Sequence, residues 1–104
     1  MSAFSKAMFV PLIGQTFLLY KPDGTHIRIK LTNIDESHIS NNYESFSLNF
    51  EAPKDEPALA DDSYLIENDK LGRNVIFLSA TLTADPDPNN YYYESVFNIY
   101  KEDQ

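Results

Sequence analysis

Few side chains in this sequence could perform acid–base or metal chemistry. The chain has two histidines and no cysteine, so a zinc site would need His26 and His38 together with carboxylates. Neither histidine belongs to an HxH or HExxH spacing, and the predicted elements put one on a strand and the other in a loop. No serine lies in a G-x-S-x-G or S-x-x-K arrangement, and the three glycines are isolated. We therefore expect no metal, no cofactor and no enzymatic activity.

One acidic segment is similar to the start of a calcium loop. Asp85, Asp87 and Asn89 alternate, as the first three oxygen ligands of such a loop do. The match fails further along, because Asn90 stands where the loop needs glycine and Val96 where it needs a bidentate glutamate. Asp-Pro and Asn-Asn pairs are ordinary turn formers. We interpret the segment as a loop and expect no cation there.

The cluster Tyr91-Tyr92-Tyr93-Glu94 is the most unusual feature of the sequence. On a strand, Tyr91 and Tyr93 point to one side and Tyr92 to the other, so at least one ring should lie on the surface. Aromatic rings beside a carboxylate suit sugar stacking or a protein contact. Tyrosines are also good edge-strand residues that pack their rings and expose their hydroxyls. Both interpretations stay open at this point.

Charge is distributed unevenly along the chain. The net charge is −8; residues 1–52 contain four Lys or Arg and five Asp or Glu, whereas residues 53–104 contain four and eleven. Phosphate contacts require clustered Lys and Arg, so we expect no nucleic acid partner. An acidic face could instead steer a basic protein partner. The candidate interaction residues are Asp61, Asp62, Asp85, Asp87, Tyr91, Tyr92, Tyr93 and Glu94.

The sequence predicts neither a membrane segment nor an export signal. Residues 1–15 contain one lysine and lack the apolar run of a signal peptide. No window approaches the ~20 apolar residues of a membrane span. We therefore expect a cytoplasmic protein without a membrane partner.

The N-terminal half begins with a predicted β-hairpin. Residues 16–20 are rich in β-formers and precede a K-P-D-G turn at 21–24, where Pro presets φ and Gly closes the turn. Residues 26–31 then alternate strictly between polar and apolar types. The pattern predicts one buried face and one wet face.

A change of phase follows this hairpin. The apolar residue after Leu31 is Ile34 rather than position 33, which indicates a β-bulge near Thr32 and Asn33. Residues 45–51 alternate again, and their apolar side chains should be buried. These buried residues are Phe46, Leu48 and Phe50. The segment predicts a third strand.

The C-terminal half predicts three more strands after an acidic, proline-containing connection at 52–62. Their ranges are 64–67, 74–83 and 91–100. The strand at 74–83 points Ile76, Leu78, Ala80 and Leu82 to one side. Because Val75 and Phe77 begin the opposite side, we expect one end of this strand to be covered on both faces.

The ends of the chain differ from this pattern. Residues 5–12 suggest a short helical turn ended by Pro11, and residues 1–14 should form a plug in which Leu12 and Ile13 close one end of the fold. Residues 101–104 should be a charged, flexible tail. About six strands with no crossover helix predict a single all-β domain, an antiparallel sandwich or a small barrel.

Three blocks carry a resemblance to a known family. They read F-x-P-L-I-G-Q-x-F-x-L at 9–19, F-S-L-x-F at 46–50 and Y-E-S-V-F-N at 93–98. In these blocks the chain resembles an uncharacterised family of small bacterial proteins, and it is longer and more acidic than that family around residues 53–62. The resemblance implies no assigned activity and an association with collar and fibre proteins of phage-tail-like particles.

The sequence as a whole favours a non-enzymatic structural or assembly module. It would contact a protein partner through an exposed edge strand or an acidic face. The resemblance implies that this partner is a tail or fibre protein and that the module is incorporated into a phage-tail-like particle. The alternative is a small-ligand or carbohydrate-binding domain that uses Tyr91 to Tyr93. The sequence pattern is also compatible with a homo-oligomer.

Overall fold

The computed structural model describes residues 5–37, 43–55, 57–83 and 86–100, which form six strands and a short helical segment. The strands are β1 (Thr16–Tyr20), β2 (His26–Ser37), β3 (Tyr43–Pro53), β4 (Asp62–Asn68), β5 (Gly72–Ala80) and β6 (Asn90–Tyr100). Helix α1 spans Lys6–Phe9, and one 3₁₀ turn, Val10–Leu12, follows it. His38 and the predicted tail at 101–104 lie outside the described residues. In the described ranges, no helix is both long and apolar enough to cross a membrane.

The six strands close into a barrel in the order β1-β2-β3-β6-β5-β4. Every neighbouring pair is antiparallel. The predicted all-β fold of about six antiparallel strands is confirmed, and the barrel is the form it takes. Because β6 lies between β3 and β5, the segment that follows β3 crosses an end of the barrel to reach β4 beside β1.

The β-bulge predicted after the hairpin is present in β2. Leu31 lies opposite Phe50 and Asn33 opposite Asn49, so Thr32 is the extra residue. The Thr32 hydroxyl donates a hydrogen bond to the Asn49 carbonyl at 3.0 Å, which secures the irregular position. The bulge restores the alternation, so the residues beyond it again face inward and outward in turn.

Apolar side chains from all six strands fill the barrel. At its centre the rings of Phe17 and Phe50 meet edge to face, with centroids 5.6 Å apart and planes at 87°. Both side chains are fully buried. The strand residues of this core are Phe17, Leu19, Ile27, Ile29, Leu31, Phe46, Leu48, Phe50, Ala52, Tyr64, Ile66, Ile76, Leu78 and Tyr93.

The helical segment closes one end of the barrel. Phe9 is fully buried, and its ring lies 6.2 Å from that of Phe46 and 5.9 Å from that of Phe97. The backbone N–H of Lys6 at the start of α1 donates to a Glu44 carboxylate oxygen of β3 at 2.6 Å. This bond satisfies one of the amides that the helix itself leaves unpaired.

The composition of the plug differs from the prediction in one residue. Leu12 is buried, as expected, but Ile13 is 42% exposed. The prediction for Ile13 was wrong because the chain leaves the 3₁₀ turn at this residue in extended conformation. Phe9, one turn earlier, fills the end of the barrel instead.

The outer face of β5 also differs from the prediction. Val75 is 60% exposed and Phe77 is 54% exposed, so the expected cover on both faces was wrong. The strand ends at Ala80, which is itself exposed, and Leu82 beyond it is 97% exposed. Alternation shows which residues share a face, but a barrel has a single inner layer, and apolar residues on the other face meet solvent.

Candidate functional site

Tyr93 connects the barrel to the segment between β3 and β4. Its side chain points inward and is only 2% exposed. The hydroxyl oxygen accepts a hydrogen bond from the Leu59 N–H at 2.9 Å. Burial raises the pKa of Tyr93, and the Leu59 hydrogen bond opposes that rise. Tyr93 is therefore neutral near pH 7 and acts as an anchor for this segment.

Tyr91 and Tyr92 occupy the neighbouring positions on β6. Tyr91 shares the side of Tyr93, as predicted; their ring centroids are 6.5 Å apart. Lys54 Nζ lies 5.3 Å from the centroid of Tyr91, within reach of a cation–π contact. Tyr92 takes the opposite side, and its hydroxyl oxygen accepts a hydrogen bond from the Asp87 N–H at 2.7 Å. Two of the three hydroxyls thus hold connecting segments.

Replacing Tyr93 by phenylalanine is expected to lower the free energy of unfolding by about 0.5–1.5 kcal/mol, because the Leu59 N–H loses its partner while the ring stays packed. Urea unfolding of the two proteins measures the difference. Tyr92→Phe is the matched control: its bond to Asp87 is exposed, so water replaces the hydroxyl and the stability should change less. Equal losses in the two variants would show that Tyr93 does not anchor the segment.

Three of the predicted acidic residues lie where β5 meets β6. Asp61 accepts a hydrogen bond from the Ala80 N–H through Oδ1 at 3.1 Å. Glu94 lies opposite Ser79 in the ladder. Asp62 follows Asp61 in the chain; it is the first residue of β4 and is exposed. The structure therefore brings these carboxylates to one end of β5, which we call the acidic end.

The remaining predicted acidic residues belong to the loop before β6. Asp87 is exposed, and its Oδ1 accepts a hydrogen bond from the Asn89 N–H at 2.8 Å, which is a turn interaction. Asp85 lies outside the described residues. Within the residues that the structure describes, no group of three or more His, Asp or Glu side chains could hold a metal ion.

The opposite end of β5 is electrically balanced. Glu67 accepts hydrogen bonds from the Tyr20 hydroxyl at 2.6 Å and from Arg73 Nε at 3.0 Å. These two bonds lower the pKa of Glu67, with that from Tyr20 contributing most. The charge of Glu67 is matched by Arg73, so the outer face of the β4–β5 hairpin becomes more acidic from the Gly72 end toward the acidic end.

β5 and β6 pair over a short stretch only. Their ladder joins residues 79–80 to residues 93–94, whereas β3 and β6 pair over eleven positions. Residues 73–78 of β5 do not pair with residues 95–100 of β6. We call the gap between these two ranges the β5–β6 opening.

Exposed apolar side chains border the β5–β6 opening. Val75 and Phe77 lie on the outer face of β5, and Val96 of β6 is 59% exposed. Continuing the register of the short ladder by two residues puts Phe77 opposite Val96. The sequence did not predict this feature. The sequence signal for the opening was the pair of apolar residues at positions 75 and 77. Alternation alone predicted that this face of the strand is covered.

Two grooves border Tyr92. One, of about 220 Å³, is lined by all three tyrosines together with Lys54 and Leu59. Glu94 is not among its lining residues, and it shares the outward face of β6 with Tyr92, two residues before it.

The second groove has a volume of about 260 Å³ and lies beside the bulge of β2. We call it the polar groove, and its polar walls come from Thr32, Asn33, Asp35 and Asn49, with Tyr92 beside them. From the sequence, Thr32 and Asn33 were predicted only as a bulge, and Asp35 and Asn49 were not singled out. The bulge at Thr32 was the available signal, because bulges re-aim the side chains around them.

The chain has been compared with known proteins. No curated protein sequence and no solved structure matches it at a significant level. A family model described as a domain of unknown function, DUF6916, matches residues 4–97 and reaches into all six strands. The resemblance to an uncharacterised family is therefore confirmed, and the chain belongs to the DUF6916 family.

Proposed function

We propose that this protein is a non-enzymatic interaction module that binds a strand of a partner protein in the β5–β6 opening. The partner strand would be apolar on both faces, with Lys or Arg on its outward face where it meets the acidic end. The observation that carries the proposal is the short β5–β6 ladder, flanked by Val75, Phe77 and Val96, each more than half exposed. Unpaired strand edges are templates for an added strand, which gains backbone hydrogen bonds and side-chain contacts.

The apolar residues supply the contact area. Phe77 and Val96 stand on the two sides of the β5–β6 opening, so one added strand could cover both side chains. Exposed aromatic residues of this kind are enriched among the side chains that dominate binding energy. A strand adds side chains with a period of two, so every second residue of the partner would meet this apolar pair.

Charge selects the partner. Asp61, Asp62 and Glu94 form the acidic end next to the β5–β6 opening, and the chain carries a net charge of −8. Glu94 lies two residues before Val96 and shares its outward face, so Lys or Arg on the same face of the added strand, at the end near the short ladder, would lie near these carboxylates and speed association. Two copies of this chain would repel one another at the same site. A basic partner protein therefore suits the surface better than a homo-oligomer does.

A synthetic peptide tests this proposal. A Val-rich peptide of about ten residues, with Lys only at same-face positions near one end, should bind and shift the backbone amide signals of β5 and β6 in NMR spectra. The same peptide with Glu in place of Lys should not bind. Phe77→Asp should weaken the Lys peptide by at least about tenfold, because it removes a central apolar contact. Leu82→Asp, at a 97% exposed position beyond β5, is the matched control and should leave binding unchanged.

Two outcomes would overturn it. Equal binding of both peptides, or undiminished binding to Phe77→Asp, would show that the β5–β6 opening does not select a basic strand. A dimer in solution that Phe77→Asp converts to monomer would identify a second copy as the occupant. Sedimentation measurements on both proteins detect that case.

We further propose that the natural partner is a collar or fibre protein of a phage-tail-like particle. This rests on the sequence resemblance described above, and it makes the module either cytoplasmic or part of the assembled particle. If the neighbouring genes encode collar or fibre proteins, co-expression with them tests the idea. A stable complex that Phe77→Asp disrupts supports it, and separate elution of all components counts against it.

A further inference from the structure

The polar groove combines side-chain groups of several kinds on the outer face of the barrel. It lies between the bulge of β2 and the segment that follows β5, about 260 Å³ in volume. Asp35 provides a carboxylate, and Asn33 and Asn49 provide amides, all from outward positions on β2 and β3. None of these residues takes part in the β5–β6 opening.

Hydrogen bonds fix the orientation of these groups. Asp35 Oδ2 accepts from Asn49 Nδ2 at 2.9 Å, and Asp35 Oδ1 accepts from Asn33 Nδ2 at 3.3 Å. A carboxylate has about four acceptor sites and a primary amide has two N–H donors, so each group keeps further capacity after these bonds. Acceptors and donors are thus held side by side before any ligand arrives, which reduces the entropy lost on binding.

An aromatic ring and a polar segment complete the groove. Tyr92 is half-buried, and the bond from the Asp87 N–H to its hydroxyl restricts the ring. Thr81 and Thr83 line the groove from the segment after β5. Aromatic rings next to hydrogen-bonding groups provide a surface for the C–H face of a polar ligand.

The chemistry of the groove narrows the ligand class. The Asp35 carboxylate repels anions, and the described residues include no group of three metal-ligating side chains. An ammonium group would gain little from exposed carboxylates, because water screens such ion pairs. A neutral polyhydroxyl molecule would use both the acceptors and the donors. The volume is below the ~300–1,000 Å³ of sites for drug-sized ligands, which favours something as small as one sugar ring.

We propose that the polar groove binds a neutral sugar residue, with Asp35 and Asn49 making hydrogen bonds to its hydroxyls and Tyr92 contacting its ring. Asn49 lies opposite Glu94 of the acidic end in the β3–β6 ladder, but the groove contains neither Phe77 nor Val96, so Phe77→Asp tests the two sites independently. Glycan-binding domains commonly reach useful affinity by presenting several weak sites together. A single sugar should therefore bind this groove weakly.

NMR titration with four defined sugars tests the site. The probes are N-acetylglucosamine and the methyl glycosides of glucose, mannose and galactose. At least one should give saturable shifts of the Asn33, Asp35, Asn49 and Tyr92 amides, with a Kd on the order of 1 mM. Asp35→Ala and Asn49→Ala should each raise that Kd by at least about tenfold. Asp69→Asn, at an exposed carboxylate in the turn between β4 and β5 that does not line the groove, is the control and should change it by less than about twofold.

The possible outcomes of the titration distinguish a sugar site from a cation site and from no site. Absence of saturable shifts for all four sugars up to about 50 mM would overturn the proposal, as would unchanged affinity in a folded Asp35→Ala or Asp35→Asn variant. Shifts of the same amides by Ca²⁺ or by lysine methyl ester alone would assign the groove to a cation. Phe77→Asp should leave sugar binding intact, so failure of the strand proposal and failure of this one are distinguishable.

Discussion

Replacing Phe9 by alanine is expected to lower the free energy of unfolding by about 3–5 kcal/mol, the range for removing a buried phenylalanine. The side chain is fully buried, and its ring lies near those of Phe46 and Phe97. Its loss would leave a cavity beneath α1 that a four-residue helix cannot refill by itself. A domain of this size has a total free energy of unfolding of about 5–15 kcal/mol, so the variant should unfold at a much lower urea concentration.

Val10→Ala provides the control for this prediction. Val10 follows Phe9 directly and is 46% exposed, so its truncation should cost well under 1 kcal/mol. Phe9→Leu should retain part of the stability lost in Phe9→Ala, because leucine still fills part of the space. A loss of less than about 1 kcal/mol in Phe9→Ala would mean that the helical segment is not part of the cooperative barrel.

The pair Phe17 and Phe50 should show the second large effect. Each is fully buried, so Phe17→Ala and Phe50→Ala should each lower the free energy of unfolding by about 3–5 kcal/mol. The rings meet edge to face with centroids 5.6 Å apart. The double variant should therefore lose less than the sum of the single losses, by about 0.5–1.5 kcal/mol for the ring contact itself.

A double-mutant cycle measured by urea unfolding gives this coupling directly. Phe17→Ala combined with Leu82→Ala is the comparison, because Leu82 is almost fully exposed and shares no core contact. That pair should be additive within about 0.5 kcal/mol. Strict additivity in the Phe17 and Phe50 cycle as well would show that the two rings do not interact beyond filling the core.

Much of the fold could be predicted from local sequence because a strand has a side-chain period of two. The strict alternation at 26–31 and its slip at Ile34 located β2 and its bulge, and both are observed. The same reasoning correctly predicted that Phe46, Leu48 and Phe50 are buried. These features depend on neighbours in the chain, so the pattern contains the necessary information.

The remaining features of the fold depend on how the strands pair in three dimensions. Alternation assigned Val75 and Phe77 to one face of a strand, but it could not show that this face lies outside a barrel. Local alternation likewise could not show that β5 and β6 pair only at residues 79–80 and 93–94. The predicted site shared this limit, because the partners of Tyr92 and Tyr93 are backbone amides of irregular segments.

The polar groove was missed for a related reason. Asp35 and Asn49 lie on different strands and come together only through the register that the Thr32 bulge imposes. Each residue alone is an ordinary outward polar residue of a strand. Only the pairing of β2 with β3 makes them a group, and alternation gives the face of each residue but not which residue of the neighbouring strand lies opposite it.

The position of β6 has a consequence for how the chain is synthesised. β6 forms the longest ladder of the barrel, with β3, and it also supplies the short seam to β5. A ribosome makes residues 90–100 after all the strands that β6 must join. Until they emerge, β3 has no second neighbour and the buried faces of five strands have no closed interior. Closure of the barrel must therefore follow translation of this segment, and until then the open strands of the nascent chain are exposed to pairing with another molecule.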